Sequence, residues 1–142
     1  MSWLPKKLVV VPVDFSEESI AAVEAALSLV AQPTDIRILH VLPELTPLEP
    51  SEAWQTFDNQ SRIEHARNLL RDRLLAAPLS MIPTEVIVGD AGHAIANYAA
   101  EVQADLIVLP SHGRTGLARM LIGSVAERVV RLAHCPVLVL RK

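Results

Sequence analysis

Two kinds of segment alternate along this 142-residue chain, and the alternation is its strongest constraint on folding. Leu8-Val9-Val10-Val11-Pro12-Val13 is a continuous, largely β-branched run with no polar face, which suits a strand buried on both sides. Ser16-Glu17-Glu18 then offers an N-cap and two acids for a first helical turn, where negative charge meets the positive end of the helix dipole. Ile20, Val23, Leu27 and Val30 follow at helical spacing, and Gln32-Pro33 ends the predicted helix. Asp35 to Leu42 reads as a second strand. Pro43 to Pro50 carries three prolines and reads as a long irregular connection. Ser61-Arg62-Ile63-Glu64 has the form of a capping box early in a helix running to about Ala77. Its apolar stripe is Ile63, Ala66, Leu70 and Leu74.

The same rhythm continues to the end. Thr84 to Val88 is a third strand, and Asp90 can cap a helix carrying Ile95, Ala99 and Val102. Asp105 to Leu109 is a fourth strand. A helix starting near Ser124 carries Val125, Val129 and Leu132, and Pro136 separates it from a last strand, Val137 to Leu140. A β-α-β-α-β-α-β-α-β order with near-continuous apolar strands predicts an α/β fold. Right-handed crossovers narrow it to a doubly wound, Rossmann-like sheet of five parallel strands with helices on both faces. Ligands on such sheets sit beyond the carboxyl ends of the strands, where the strand order reverses. Asp14, after the first strand, and Pro110 to Gly116, after the fourth, compete for that place.

Composition excludes several functions. Hydrophobic residues are 51% of the chain, enough to offset chain entropy, so a disordered protein is excluded, and the length fits one domain, residues 1–142. A net charge of −3 disfavours a nucleic-acid partner. Cys135 stands alone, so it forms neither an intrachain disulfide nor a zinc site; it is expected as a small buried hydrophobe. The apolar run after Lys6-Lys7 is too short for a secretory leader, and no stretch approaches the ~20 apolar residues of a membrane span. A soluble, cytoplasmic protein with no membrane partner is expected.

Of five glycines, Gly113, Gly116 and Gly123 fall within eleven residues. Glycines let backbone N–H groups converge on an anion, and a helix beginning at Ser124 adds its own amides and dipole. A phosphate chain can lie between Gly113 and Gly123-Ser124, with the Ser124 hydroxyl as a donor, His112 beside it and Arg114 and Arg119 as nearby charge. Equally, glycines in a strand–helix loop can be purely steric. The Walker and dinucleotide glycine patterns are both absent.

Four motifs together carry a resemblance: Pro12-Val13-Asp14-Phe15-Ser16, DLIVLPSHGRTGL from Asp105, IGSVAERVV from Ile122, and HCPVLVLRK from His134. In this register the whole chain resembles the universal stress protein family. The resemblance implies a sheet of five parallel strands and a homodimer, formed through the edge strand Val137–Leu140, which twofold pairing would also cover. One branch of the family binds ATP through G-x2-G-x9-G-[ST]. Gly113, Gly123 and Ser124 match that pattern, while Pro110 replaces its first glycine, removing an N–H and fixing φ. By the same resemblance Pro12, Val13 and Asp14 contact the adenosine, Val41 lies against the base, and Val125 and Ala126 present backbone at the phosphates. Mg²⁺ can accompany the nucleotide, held through water by Asp14.

The remaining candidates have plainer readings. Asp14 also serves as a cap or turn residue, His40 as a satisfied core or edge histidine, and His65 and His93 as exposed helical positions. Trp54 either covers an apolar pocket or anchors a loop. No nucleophile–base pair, GxSxG elbow or metal-spaced histidine pair is present. The expectation is therefore a nucleotide-responsive stress-response protein that binds ATP or another adenine nucleotide. The alternatives are a homodimeric interaction protein of the same family that binds no nucleotide, and a slow ATP hydrolase.

Overall fold

Val9, Val11 and Val13 face one side of the first strand and Val10 the other, and this period of two divides the interior into two cores. The computed structural model describes residues 2–45, 59–112 and 122–141. The elements are β1 (Val9–Pro12), α1 (Glu17–Leu27), β2 (Ile36–Leu42), α2 (Asn59–Arg73), β3 (Thr84–Val88), α3 (Ala91–Glu101), β4 (Leu106–Pro110), α4 (Ser124–Leu132) and β5 (Val137–Leu140). The five strands form one parallel sheet in the order β3-β2-β1-β4-β5.

Helices cover both faces, as the alternating pattern predicts. Val9, Val11, Ile36, Ile38, Leu106 and Val108 pack against Ala22, Val23 and Ala26 of α1 and Ala66 and Leu70 of α2. Val10, Leu39, Ile107 and Leu109 pack against Ile95 and Ala99 of α3 and Ala126 and Val129 of α4. Each fully buried aliphatic side chain of this kind contributes about 1.5–3 kcal/mol relative to exposure.

The boundaries depart from the sequence reading in four places. Helix α1 stops at Leu27, because Ser28 turns back with both its amide and its hydroxyl on the Ala25 carbonyl (3.1 and 2.7 Å). Val30 therefore lies outside the helix and bridges Lys6. Helix α2 ends at Arg73 rather than near Ala77; Pro78 disfavours helical geometry at Ala77 and has no N–H to offer the Leu74 carbonyl. Leu74 nevertheless stays buried, its amide on the Leu70 carbonyl at 3.0 Å. Asp35 closes a short 3₁₀ turn instead of opening β2. Asp105 precedes β4 and accepts the amides of Lys7 and Leu8 at 2.9 and 3.0 Å, which anchors the start of β1.

The sheet opens at one point. Pairing of β1 with β2 runs to Pro12↔Leu39 and pairing of β4 with β5 runs to Pro110↔Leu140. Pairing of β1 with β4 covers only Val9↔Leu106 and Val10↔Ile107, so the two central strands part toward their carboxyl ends. This opening explains how β4, an interior strand, tolerates a proline. The amides of Ile107 and Ser111 donate to Pro136 and Leu140 on the β5 side (3.0 and 2.8 Å). Alternation then turns the N–H side of position 110 toward β1, where the ladder has already ended, so no ladder bond is lost.

Helices α3 and α4 approach closely at Gly92. A Cβ there would stand 2.6–2.8 Å from Cδ, Cγ and Cβ of Arg128, whose stem lies in the notch. Gly92→Ala should gain about 0.8–1 kcal/mol of helix propensity, yet overpacking against a backbone-proximal Cβ costs about 1–3 kcal/mol. A net drop in the urea midpoint with an unchanged m-value is expected. Gly89→Ala is the control, because its Cβ would meet only Ala94 at an ordinary 3.5 Å. A midpoint for Gly92→Ala at or above that of the parent would refute the notch.

Candidate functional site

The turn leaving β1 is held from every side. The Val13 amide donates to the Leu39 carbonyl at 2.8 Å. Asp14 Oδ1 accepts from the Ser16 amide (3.0 Å) and hydroxyl (2.5 Å), and the Asp14 amide donates to Ser19 Oγ at 3.3 Å. Ser16 in turn caps α1, its Oγ accepting the Ser19 amide at 3.1 Å. Asp14 is thus a turn-forming residue, as one of its two readings required.

Between Asp14 and Ser16, Phe15 sits at φ 68°, a left-handed conformation that an L side chain adopts only under constraint. Arg73 of α2 donates to the Phe15 carbonyl at 3.2 Å, and the Phe15 ring meets His40 edge-on with centroids 4.7 Å apart. His40 Nδ1 lies 2.6 Å from the Val13 carbonyl. A carbonyl only accepts, so Nδ1 carries the proton. His40 is the satisfied histidine its apolar strand implied, and it clamps the turn that presents Asp14.

At the carboxyl ends of β2 and β3 lies a cleft of about 350 Å³ lined by Val41, Pro43, Glu44, Gly89, Asp90 and Ala91. Arg62 of α2 fixes its rim by donating to the Pro43 carbonyl at 2.7 Å. Asp90 caps α3 by accepting the His93 amide (3.3 Å), and the same carboxylate meets His93 Nδ1 (2.7 Å) and Arg128 Nη1 (3.1 and 3.3 Å). The His93 imidazole first, then its amide and the Arg128 guanidinium, hold the Asp90 carboxyl below its ordinary range despite a little desolvation. His93 is exposed, like His65, but it is engaged with Asp90.

The start of α4 lies against the end of β4. The Gly123 amide donates to the Ser111 carbonyl at 2.5 Å, and a Cβ at Gly123 would stand 3.0 Å from that oxygen. A side chain at this position would crowd that carbonyl, so the close backbone approach favours glycine. Gly123 is also the N-cap residue and supplies no side-chain cap. The helix provides no acceptor for its first amides, those of Ser124, Val125 and Ala126, whereas Glu127 already donates to Gly123 at 2.9 Å. Ser124 and Val125 are exposed, but the Ala126 side chain is buried in the second core, leaving only its backbone to offer. His112 has Nδ1 3.2 Å from Ser111 Oγ, and its Nε2 is buried with no hydrogen-bond partner among the described residues. Gly113, Arg114, Gly116, Arg119 and Trp54 lie outside the described residues.

The strand order corrects one expectation. Because β1 and β4 are neighbours, Asp14 and the Pro110 segment do not compete for the reversal point but flank it. Pro12 and Pro110 end the two strands, with Val13 buried behind. Three contributors escaped sequence reasoning: Glu44 and Gly89 line the cleft, and Asp90, read only as a cap, lines it too. The available signal was Gly89-Asp90 directly after a strand, informative only once β3 is known to stand beside β2. Cys135 is half-buried; burial, with help from Asp105, pushes its thiol up and disfavours the thiolate. Among the described residues no group of three or more His, Cys, Asp or Glu is placed to hold a metal ion, and no helix is long and apolar enough to cross a membrane.

Comparison with known proteins was consistent across sequence and structure. The model of the universal stress protein family matches residues 6–141. Universal stress protein MJ0531 of Methanocaldococcus jannaschii is 35% identical over 141 residues, covering 96% of this chain and 82% of the relative. Among solved structures, protein MJ0577 superposes with a TM-score of 0.80 at 25% identity, covering 98% of both chains. A universal stress protein solved in complex with cAMP superposes with a TM-score of 0.60 at 27% identity, covering 96% of this chain and 97% of its own.

Two predictions follow from the clamped turn and the capped cleft. His40→Ala orphans the Val13 carbonyl and removes the ring contact that restrains Phe15, so stability should fall by about 1–3 kcal/mol. Amide exchange at Ser16 and Ser19 should quicken in the native state; exchange unchanged there would show that His40 does not hold the turn. Asp90 is the pH-sensitive cap. Its folded-state pKa is depressed, so its contribution is present above the ordinary Asp value near ~4 and is lost as pH falls through the folded value. Asp90→Asn should therefore flatten the acid limb of Tm against pH below about 4, and an unaltered limb would contradict this.

Proposed function

Because the chain belongs to the universal stress protein family, we propose that it binds an adenine nucleotide across the carboxyl edge of its sheet and acts as a nucleotide-responsive regulatory protein. The observation that carries this reading is the placement of Val41. The residue matched to the adenine base lines a cleft of about 350 Å³, within the range of ~300–1,000 Å³ usual for small-molecule sites. The Asp14 turn and the start of α4 lie at the same edge, and the solved relative in complex with cAMP supports an adenine ligand on this fold.

In this reading Val41 lies against the base, and Pro12, Val13 and Asp14 meet the adenosine, with the Asp14 carboxylate accepting from ribose or amine hydrogens. The phosphates fall to the hydroxyl of Ser124 and the amides of Ser124, Val125 and Ala126, where an anion meets free N–H groups and the helix dipole. His112, Gly113, Arg114 and Gly123 complete that end, and the buried, unpartnered Nε2 of His112 is the kind of polar atom a phosphate would satisfy. The donor that Pro110 lacks faces the opening between β1 and β4, so the nucleotide must be held without it. Bound ATP would supply a polyphosphate anion, with Mg²⁺ as its counter-ion. A nucleotide-dependent change at the phosphate end is the signal a partner would read.

The same reading includes a homodimer through Val137–Leu140. Strand β5 ends the sheet and all four of its residues are only half-buried, which leaves an apolar edge that a twofold partner would cover. Sedimentation should show a dimer at micromolar concentration; monomer alone would overturn that part.

Calorimetry on nucleotide-stripped protein tests the ligand. Mg-ATP should bind with a Kd of about 10 µM or tighter, roughly −7 kcal/mol, and Mg-GTP should bind far more weakly. Ser124→Ala and Asp14→Ala should each weaken ATP about tenfold, the scale of one hydrogen bond to a charged group. No heat up to millimolar ATP would overturn the nucleotide reading and leave the interaction-protein alternative standing.

A further inference from the structure

We infer that Arg128 is a positioning residue: its ion pair with Asp90 latches the base-side cleft to the phosphate-side helix, so that the two ends of the site are held at one spacing. The inference rests on the nucleotide reading above only for its consequence on binding. Three observations place the latch. The Arg128 stem lies against Gly92, where a Cβ would stand 2.6–2.8 Å from its Cβ, Cγ and Cδ. Its Nη1 then reaches both oxygens of Asp90 at 3.1 and 3.3 Å. Asp90 in turn lines the cleft with Val41 and caps α3.

On the other side, Arg128 stands four residues after Ser124, one helical turn along α4 and on the same side of it. At 1.5 Å per residue its Cα is about 6 Å along the axis from the residue matched to the phosphates. One side chain thus joins the wall of the base cleft to the phosphate helix, one turn past its first residue. His93 shares the Asp90 carboxylate but belongs to α3 and ties α3 only to itself. The Asp90–Arg128 pair thus joins the N-cap of α3 to the body of α4.

The pair is half-exposed, 43% for Arg128 and 53% for Asp90, so solvent screening makes it a weak contributor to global stability. A latch of this strength acts through coupling. It matters to a ligand that spans both ends and is indifferent to one that occupies a single end.

The test has two arms. In the free protein, Arg128→Met keeps the stem in the notch and removes the charge, while Asp90→Asn keeps an N-cap and removes the charge from the other side. Arg128→Met should speed amide exchange at His93 and Ala94 in α3, and Asp90→Asn should speed it at Glu127 in α4, each by roughly two- to fivefold, the scale of an exposed ion pair. Acceleration confined to the mutated helix would overturn the latch. In the second arm, Arg128→Met should weaken ATP about threefold or more while leaving adenosine within experimental error. Equal weakening of both ligands, or of neither, would also overturn it. Should the parent protein bind neither ATP nor adenosine, the nucleotide reading fails, and the exchange arm still decides the latch by itself. If Arg128→Met does not fold, Asp90→Asn read at Glu127 serves alone.

Discussion

The parting of β1 from β4 after Val10↔Ile107 is the constraint on which the rest of this structure depends. On one side the chain winds through β2 and β3, on the other through β5, and the crossovers leave in opposite directions from the two central strands. The turns that follow each strand leave from either side of this divergence. The Asp14 turn, the Pro110 end of β4 and the start of α4 are therefore drawn to the same edge, which is how an open α/β sheet produces a crevice. The same opening permits Pro110 in an interior strand, because the N–H it lacks has no strand to face.

That edge is stiff where it is described. Phe15 occupies a left-handed conformation that costs on the order of 1–3 kcal/mol, and it persists because Arg73, His40 and the Ser16–Asp14–Ser19 bonds over-determine the turn. Arg62 does similar work on Pro43. Helix α2, which contributes only Ala66 and Leu70 as buried residues, thus also carries the two arginines that fix the loops after β1 and β2. Across the sheet, α3 and α4 bring Arg128 to Asp90. The carboxyl edge is assembled by side chains reaching from helices whose buried faces secure the cores.

Much of this was legible in the chain. The β-branched runs, the Ser16 and Asp90 caps and the period-two split of Val9 from Val10 follow from local propensity and burial, and each stands where its residues placed it. Helix ends were less legible. Val30 continues the spacing of α1 but lies beyond its end, since the serine that turns the chain at position 28 carries no signal in a hydrophobic period. Ala77 was excluded from α2 by a proline one residue on. Of the proposed site, the motif residues Asp14 and Gly123-Ser124 stood out in the chain, and the residues the structure places around them did not. Glu44, Gly89 and Arg128 are ordinary residues until the strand order makes them neighbours.

The sequence by itself determined the kind of elements, their order, the family and the motifs on which the proposed site rests, because these depend on spacing along one chain. Only the tertiary structure decided which segments meet. It set β1 beside β4, so that Asp14 and Pro110 flank one opening, and β2 beside β3, so that Val41 and Asp90 share a cleft. It also placed the Ser111 carbonyl 3.0 Å from where a Cβ of residue 123 would be, and the Arg128 stem 2.6–2.8 Å from where one of residue 92 would be. The physical reason is range. Capping and periodicity act over a few residues, whereas close approach and charge pairing join positions up to tens of residues apart, and sequence spacing holds no information about them until the strands are ordered.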